Sequence, residues 1–179
     1  MKKYSINDAD PPWRYNGQSN MHKKSLLTKN YSFHYNTMTD KELMELPIIN
    51  ICNDDALLFL WVTNPFLLFG IKLMNSWGFS YKTVGFVWHK HKPTMGFYTM
   101  SSCELCLIGK RGNIPSPRGA RNVQQFISEK ATKHSQKPDE IRNRIMTMFP
   151  TQNKIELFAR NKYDGWDVWG NEIESTITL

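Results

Sequence analysis

Four consecutive residues, Asp10-Pro11-Pro12-Trp13, place a carboxylate, two imino acids and an indole directly after a strand-like stretch, Tyr4 to Ala9. The prolines remove two backbone donors and stiffen the chain, and they bias Asp10 toward an extended conformation. The expected product is a rigid turn with one carboxylate, outward carbonyls and one large ring. Such a turn suits a flat, amino-bearing base. Adenine's amino nitrogen is a poor nucleophile because its lone pair is delocalised into the ring. Acceptors for its two hydrogens draw it toward tetrahedral geometry: the Asp10 carboxylate is one, the Pro11 carbonyl a second. Preorganised acceptors stabilise the positive charge that grows as the nitrogen is alkylated. Trp13 offers a face for base stacking, worth roughly 1–3 kcal/mol, or for a cation–π contact. The competing reading is a proline turn with a core tryptophan.

The elements around this turn alternate. Leu57-Leu58-Phe59-Leu60-Trp61-Val62 is apolar on both faces, as expected of a central parallel strand with helices on each side. A helix is expected next, with Asn64 as N-cap, Pro65 in its first turn, a stripe of Phe66, Phe69, Leu73 and Trp77, and Gly78 at its end. Strands are expected over roughly 81–88, 104–109 and 154–159, and a second helix opening at Pro138-Asp139-Glu140 with Ile141, Ile145, Met148 and Phe149 inward. Thr39-Asp40-Lys41-Glu42 reads as a capping box before a short helix that Pro47 ends. The pattern is that of an α/β fold with a mainly parallel sheet, in one domain over residues 1–179. Ligands of such sheets bind beyond the carboxyl ends of the strands. Asp10 and Arg160 follow two of those ends.

The chain carries a formal net charge of +7 with pI near 9.3, which points to a polyanionic partner. Basic loops are expected at about 89–102 and 110–133. Lys90 and Lys92 with His89 and His91 cluster in the first, and Lys110, Arg111, Arg118 and Arg121 in the second. On the functional reading these grip phosphates, while Phe97 and Tyr98 stack on or wedge against bases and the target base is flipped out. On the bland reading they are solvated loop charge. Met1-Lys2-Lys3 runs straight into a polar strand, so no signal peptide is expected. The longest apolar run, Ala56 to Val62, is far too short to span a bilayer. Three cysteines do not make a disulfide framework, so a cytoplasmic chain is expected. Cys103 and Cys106 are spaced C-x-x-C, but on a strand they point to opposite faces. They read as small core residues, and no metal is expected.

Together these segments carry a resemblance: Ala9-Asp10-Pro11-Pro12-Trp13-Arg14-Tyr15, Tyr35-Asn36-Thr37-Met38, Leu58 to Thr63, Trp77-Gly78-Phe79, His134 to Glu140, Glu156-Leu157-Phe158-Ala159-Arg160 and Gly165 to Glu172. The chain resembles the MT-A family, the seventy-kilodalton-subunit family of adenine amino-methyltransferases, in its bacterial and phage branch. The resemblance covers about Tyr4 to Glu172. It implies a Rossmann-like S-adenosylmethionine-dependent methyltransferase fold in permuted order, with helices on both faces and the catalytic motif before the donor-binding strand. Asp10, Pro11, Pro12 and Trp13 would form the catalytic loop. Asp8, Ala9, Asp10, Lys137, Phe158, Arg160, Asn171 and Glu172 would hold S-adenosylmethionine, Lys137 through the methionine carboxylate. Tyr15, Tyr35, Trp61 and Glu104 would line the acceptor pocket, and Lys90, Lys92, Arg111, Arg118 and Arg121 would bind nucleic acid. DNA is the favoured acceptor and RNA the alternative; a non-catalytic nucleic-acid-binding subunit and a cytosine amino-methyltransferase are competing readings. A homodimer or a family-related partner subunit stays open. Larger family members contact the donor's adenine with an acid upstream of the motif. With nine residues before Asp10, that contact is expected to come from elsewhere.

Overall fold

The structure is a computed structural model and describes residues 2–14, 37–96, 98–131 and 136–179. Its elements are β1 (Tyr4–Ala9), α1 (Asp40–Glu45), a 3-10 turn (Ile48–Ile51), β2 (Cys52–Val62), a second 3-10 turn (Asn64–Phe66), α2 (Leu67–Ser76), β3 (Ser80–Thr94), β4 (Ser101–Arg111), β5 (Phe126–Ser128), α3 (Asp139–Met148), β6 (Lys154–Leu157) and β7 (Asp167–Trp169). Among the described residues the strands form one seven-stranded sheet in the order β5-β3-β4-β2-β1-β6-β7. Four of its pairings are parallel, and the two made by β4 are antiparallel. Every strand except β4 therefore runs in one direction. β2 has a parallel neighbour on one side only, which corrects the expectation of a strand parallel on both.

Alternation along β2 builds two cores, one on each face. Leu58, Leu60 and Val62 pack with Leu43 of α1 and with Leu73, Met74 and Trp77. Leu57, Phe59 and Trp61 pack with Phe86 and Trp88 of β3 and with Ile141, Ile145 and Phe149 along α3. Burial of side chains this size contributes about 1.5–3 kcal/mol each. This explains why the least polar strand lies mid-sheet, with helices on both faces. β1 and β6, adjacent in the sheet, lie at opposite ends of the chain; the turn-bearing strand precedes its neighbour in sequence, as the permuted order requires.

Local signals account for several element ends. The Thr39 hydroxyl accepts from the Glu42 N–H at 3.2 Å, and Glu42 accepts from the Thr39 N–H at 2.7 Å, completing the capping box. Gly78 (φ +83°) ends the α2 region, donating to Asn75, while the Phe79 N–H donates to the Met74 carbonyl. The N-cap of α2 is Phe66, not Asn64; Asn64 starts the preceding 3-10 turn, and its amide donates to the Ser101 hydroxyl at 3.2 Å.

The first expected basic loop is largely strand, and the second is strand only at its start and over one short edge segment. His89 to Thr94 continues β3, and Ser101 to Ser102 begins β4. Lys110 and Arg111 end β4, and Phe126–Ser128 adds an edge strand beside Val87–His89. Among the described residues no helix is long and apolar enough to cross a membrane. Cys52, Cys103 and Cys106 are free thiols, and the described residues contain no group of three or more ligands placed to hold a metal.

Candidate active site

The carboxyl ends of β1, β2, β6 and β7 and the start of the reversed strand β4 share one edge of the sheet. α3 begins at the same edge, just after Lys137. There an open cleft of roughly 440 Å³ is lined by Asp8, Asp10, Trp61, Gln136, Lys137, Arg142, Glu156, Phe158, Arg160 and Asn161.

One side of the cleft is a chain of alternating charges. The Lys137 ammonium lies 2.6 Å from Asp10 Oδ2 and 3.2 Å from Glu104 Oε2, and Lys90 lies 2.9 Å from Glu104 Oε1. Lys137 is buried, whereas the Asp10 side chain keeps a quarter of its surface open. Burial raises the Asp10 carboxyl above the ordinary carboxylate value, with Lys137 holding it back. Burial also pushes Glu104 upward, but Lys137 and Lys90 outweigh it and leave the carboxyl below its usual value. For Lys137, burial alone would lower the ammonium; Asp10 and Glu104 prevail and raise it, so it stays charged. The same ammonium sits 5.4 Å from the centre of the Trp61 ring. Trp61, not Trp13, is thus the cation–π partner of the site.

On the motif turn, Trp13 is buried, stacked on Phe66 at 5.2 Å and edge-on to Phe69 at 5.9 Å. This corrects the expectation of a free stacking platform: the indole anchors the turn in the α2-side core. The Pro11 carbonyl accepts from the Trp13 N–H at 2.8 Å, leaving one lone pair, and the Pro12 carbonyl accepts from Met38 at 3.2 Å.

The opposite wall comes from β6 and α3. Arg142 forks onto Glu156 at 2.8 and 2.9 Å, reaches Asp139 at 2.9 Å, and lies 3.8 Å from the Tyr163 ring centre. β6 stops at Leu157 rather than Ala159 because Phe158 is left-handed, with φ +63°. For a bulky residue that costs roughly 1–3 kcal/mol, a strain characteristic of ligand sites. Trp77 (6.4 Å) and Trp169 (5.4 Å, edge-on) hold the ring. Gly170 is required beneath this turn, since a Cβ there would lie 2.3 Å from the Ala159 carbonyl oxygen. Arg160 lines the cleft and pairs with Glu172 at 3.6 Å. Asn171 and Glu172 are exposed in the turn after β7.

Among the described residues, two buried polar atoms of the cleft wall have no hydrogen-bond partner, Asp8 Oδ1 and Trp61 Nε1. Burial and the neighbouring Glu156 push the Asp8 carboxyl up to about 7. An unmet acceptor, an unmet donor, an aromatic wall and charges of both signs fit a ligand with an amino acid end and a purine end.

Several expected residues lie elsewhere. Ala9 points into the core, so only its backbone can face a ligand. Arg111 pairs with Ala56, six residues before the end of β2, or about 20 Å from the cleft edge; there it faces Asp54 at 3.6 Å. Arg118 stacks on Phe149 at 5.4 Å, and the backbone between it and Arg121 bonds the last carbonyls of α3, a helix length from the cleft. Lys90 is committed to Glu104, so of the two lysines singled out on β3, Lys92 is the exposed one. Tyr15, Tyr35 and Phe97 lie outside the described residues. Arg142, Glu156, Gln136 and Asn161 were not among the expected site residues. Arg142 interrupts an inward apolar helix face, and Glu156 interrupts an apolar strand; those two interruptions were the available signal.

A Rossmann-like sheet with an Asp-Pro-Pro turn and a cleft at its carboxyl edge defines an α/β methyltransferase. The MT-A70 family pattern matches residues 4–172, and the chain belongs to the MT-A70 family. It is 45% identical over 183 residues to the type II methyltransferase M.MunI of Mycoplasma sp., covering 96% of this chain and 78% of that protein. It is 30% identical to the N(6)-adenosine-methyltransferase catalytic subunit METTL3 of Homo sapiens over 183 residues, and to an MT-A70-like N(6)-adenosine-methyltransferase of Arabidopsis thaliana over 176. The chain spans 28% and 23% of the length of those two.

Proposed function

We propose that this chain transfers a methyl group from S-adenosylmethionine to the N6 amino group of adenine in DNA, in the cytoplasm. The observation that carries the reading is the partly open Asp10 carboxylate, held at 2.6 Å by buried Lys137 on a proline-stiffened turn at the rim of the cleft. DNA is preferred because M.MunI, matched over 78% of its length, is named a type II methyltransferase. S-adenosylmethionine, when bound, supplies an electrophilic methyl on a sulfonium sulfur. Asp10 and the free lone pair of the Pro11 carbonyl accept the two amino hydrogens and localise the nitrogen lone pair for attack. Methyl transfer would break the sulfonium carbon–sulfur bond with its electron pair remaining on sulfur, and the surplus proton of the amino nitrogen passes to Asp10 and then to water. Lys137 fixes the Asp10 carboxylate and keeps its charge compensated. Trp61 and Glu104 serve the acceptor side. Phe158, Arg160, Asn171 and Glu172 serve the donor, and Lys92 meets the phosphate backbone.

The test is nucleoside mass spectrometry after incubation with S-adenosylmethionine and duplex DNA, single-stranded DNA or RNA. N6-methyladenine in a DNA arm, abolished by Asp10→Ala, is expected. Methylation confined to RNA would overturn the choice of acceptor. Methylcytosine, or an active Asp10→Ala variant, would overturn the chemistry.

A further inference from the structure

Among the described residues two buried cations line the cleft, and carboxylates already hold both. Lys137 lies between Asp10 and Glu104, and Arg142 between Glu156 and Asp139. Asp8 is the acid left over. It is 5% exposed on β1, lines the cleft, and its Oδ1 has no hydrogen-bond partner. A buried acceptor without a donor is disfavoured and calls for a specific reason. Asp10 follows the end of β1, two positions after Asp8, and both residues line the cleft. A molecule in the cleft that presents its reacting atom to Asp10 therefore passes over Asp8.

We propose that the Asp8 carboxylate receives the α-ammonium group of the methyl donor. The inference rests on reading the cleft as the donor site. The donor has two positive centres. Its sulfonium must face the amino nitrogen in front of Asp10, which leaves the ammonium as the cation free to satisfy a buried carboxylate. The two unpartnered atoms then have complementary tasks: Asp8 Oδ1 accepts, and Trp61 Nε1 remains a donor. This assignment gives the donor's amino acid end an anchor on β1 itself. The pairing also makes binding proton-linked. The groups facing Asp8 are Glu156 from β6, Arg142 from α3, Asp10 just after β1, Lys137 before α3, and from β4 the Cys106 thiol, which burial keeps neutral. The ligand-free balance of these groups favours the protonated acid relative to an ordinary carboxylate, whereas an ammonium favours the ionised one.

Isothermal titration of the whole chain with S-adenosylhomocysteine and with 5′-methylthioadenosine, which keeps the nucleoside and lacks the amino acid end, separates the contributions. Asp8→Asn preserves shape and removes the charge. It should weaken S-adenosylhomocysteine about tenfold or more and methylthioadenosine less than about threefold, as loss of a charged hydrogen bond predicts. Near about pH 6.5 the wild type should release a fraction of a proton on binding S-adenosylhomocysteine, read from buffers of different ionisation enthalpy, and none on binding methylthioadenosine. Equal weakening of both ligands, or of neither, overturns the assignment. Should the variant fail to fold, absence of proton release in the wild type overturns it too. A wild-type chain that binds neither ligand removes the donor reading itself.

Discussion

Asp8→Asn should stabilise the ligand-free protein, by an amount set by pH. The carboxyl titrates near 3.8 when solvated and is pushed up to about 7 in the fold, by burial first and Glu156 second, against Arg142 and Lys137. Below about pH 4 both folded and unfolded chains hold the proton, and Asp8 imposes no ionisation cost. Between about pH 4 and 7 the unfolded chain has released the proton and the folded chain keeps it, so folding takes up a proton and stability falls as pH rises. Above about pH 7 the folded carboxyl ionises too, and the cost stops growing. At about 1.4 kcal/mol for each factor of ten, the interval corresponds to a loss on the order of 4 kcal/mol relative to the neutral isostere. Urea unfolding of wild type and variant at about pH 4.5, 6 and 8 reads this cost, because carboxylates remote from Asp8 titrate alike in both proteins. The variant's advantage should grow from about pH 4.5 to 8. A difference that is flat with pH, or a variant less stable than wild type at about pH 8, would refute the argument that Asp8 is a destabilising carboxyl retained for a ligand.

Other substitutions probe the remaining parts of the site. Lys137→Met leaves Asp10 and Glu104 buried without their shared cation, and should lower stability by about 3–5 kcal/mol in chemical denaturation while abolishing methyl transfer. Adding Glu104→Gln to it should recover part of the stability and none of the activity. Trp13→Ala empties a packed position against Phe66 and Phe69 and should cost about 3–5 kcal/mol. Trp13→Phe should keep most of the activity; a Phe variant that folds normally yet is inactive would restore a direct base-stacking role. Lys92→Ala should weaken DNA binding and reduce the slope of log affinity against log salt by about one, whereas Arg118→Ala should leave that slope unchanged.

The parts of the fold that follow local rules are legible in the amino-acid sequence. The alternation along β2, the Thr39–Glu42 box and Gly78 are each decided within one turn or strand of chain, and the elements form where expected. The extension of β3 through Lys90, His91 and Lys92 is not legible there. Those residues are polar, precede a proline at position 93, and lie in an irregular stretch between the β4 pairings of His89 and Thr94, where His91 has φ +56°. β5 is three residues long and acquires its identity only from Val87–His89. The same limit holds at the site. Asp10, Lys137 and Glu104 can each be singled out by type and motif, but their 2.6 and 3.2 Å contacts join positions 127 and 33 residues apart. The division of the basic residues also depends on topology. Arg111 and Arg118 read like Lys92 in sequence, yet a strand and a helix carry them to the far end of the sheet.

The arrangement of buried charge gives the cleft two unlike halves. On the acceptor side every charge is matched: Asp10, Lys137, Glu104 and Lys90 alternate in sign from the turn to β3. That balance holds the Asp10 carboxylate in place before substrate arrives, so little reorganisation is needed when charge develops on the amino nitrogen. On the donor side the Arg142–Glu156 fork is self-satisfied and leaves Asp8 uncompensated, next to a strained Phe158. A matched half is rigid without ligand, whereas an unmatched half gains stability when a cation binds. The geometry therefore predicts that S-adenosylhomocysteine raises the melting temperature of the wild type more than that of Asp8→Asn, even though the variant starts from the higher value. Equal shifts for the two proteins at saturating ligand would show that the unmatched half contributes nothing to donor binding.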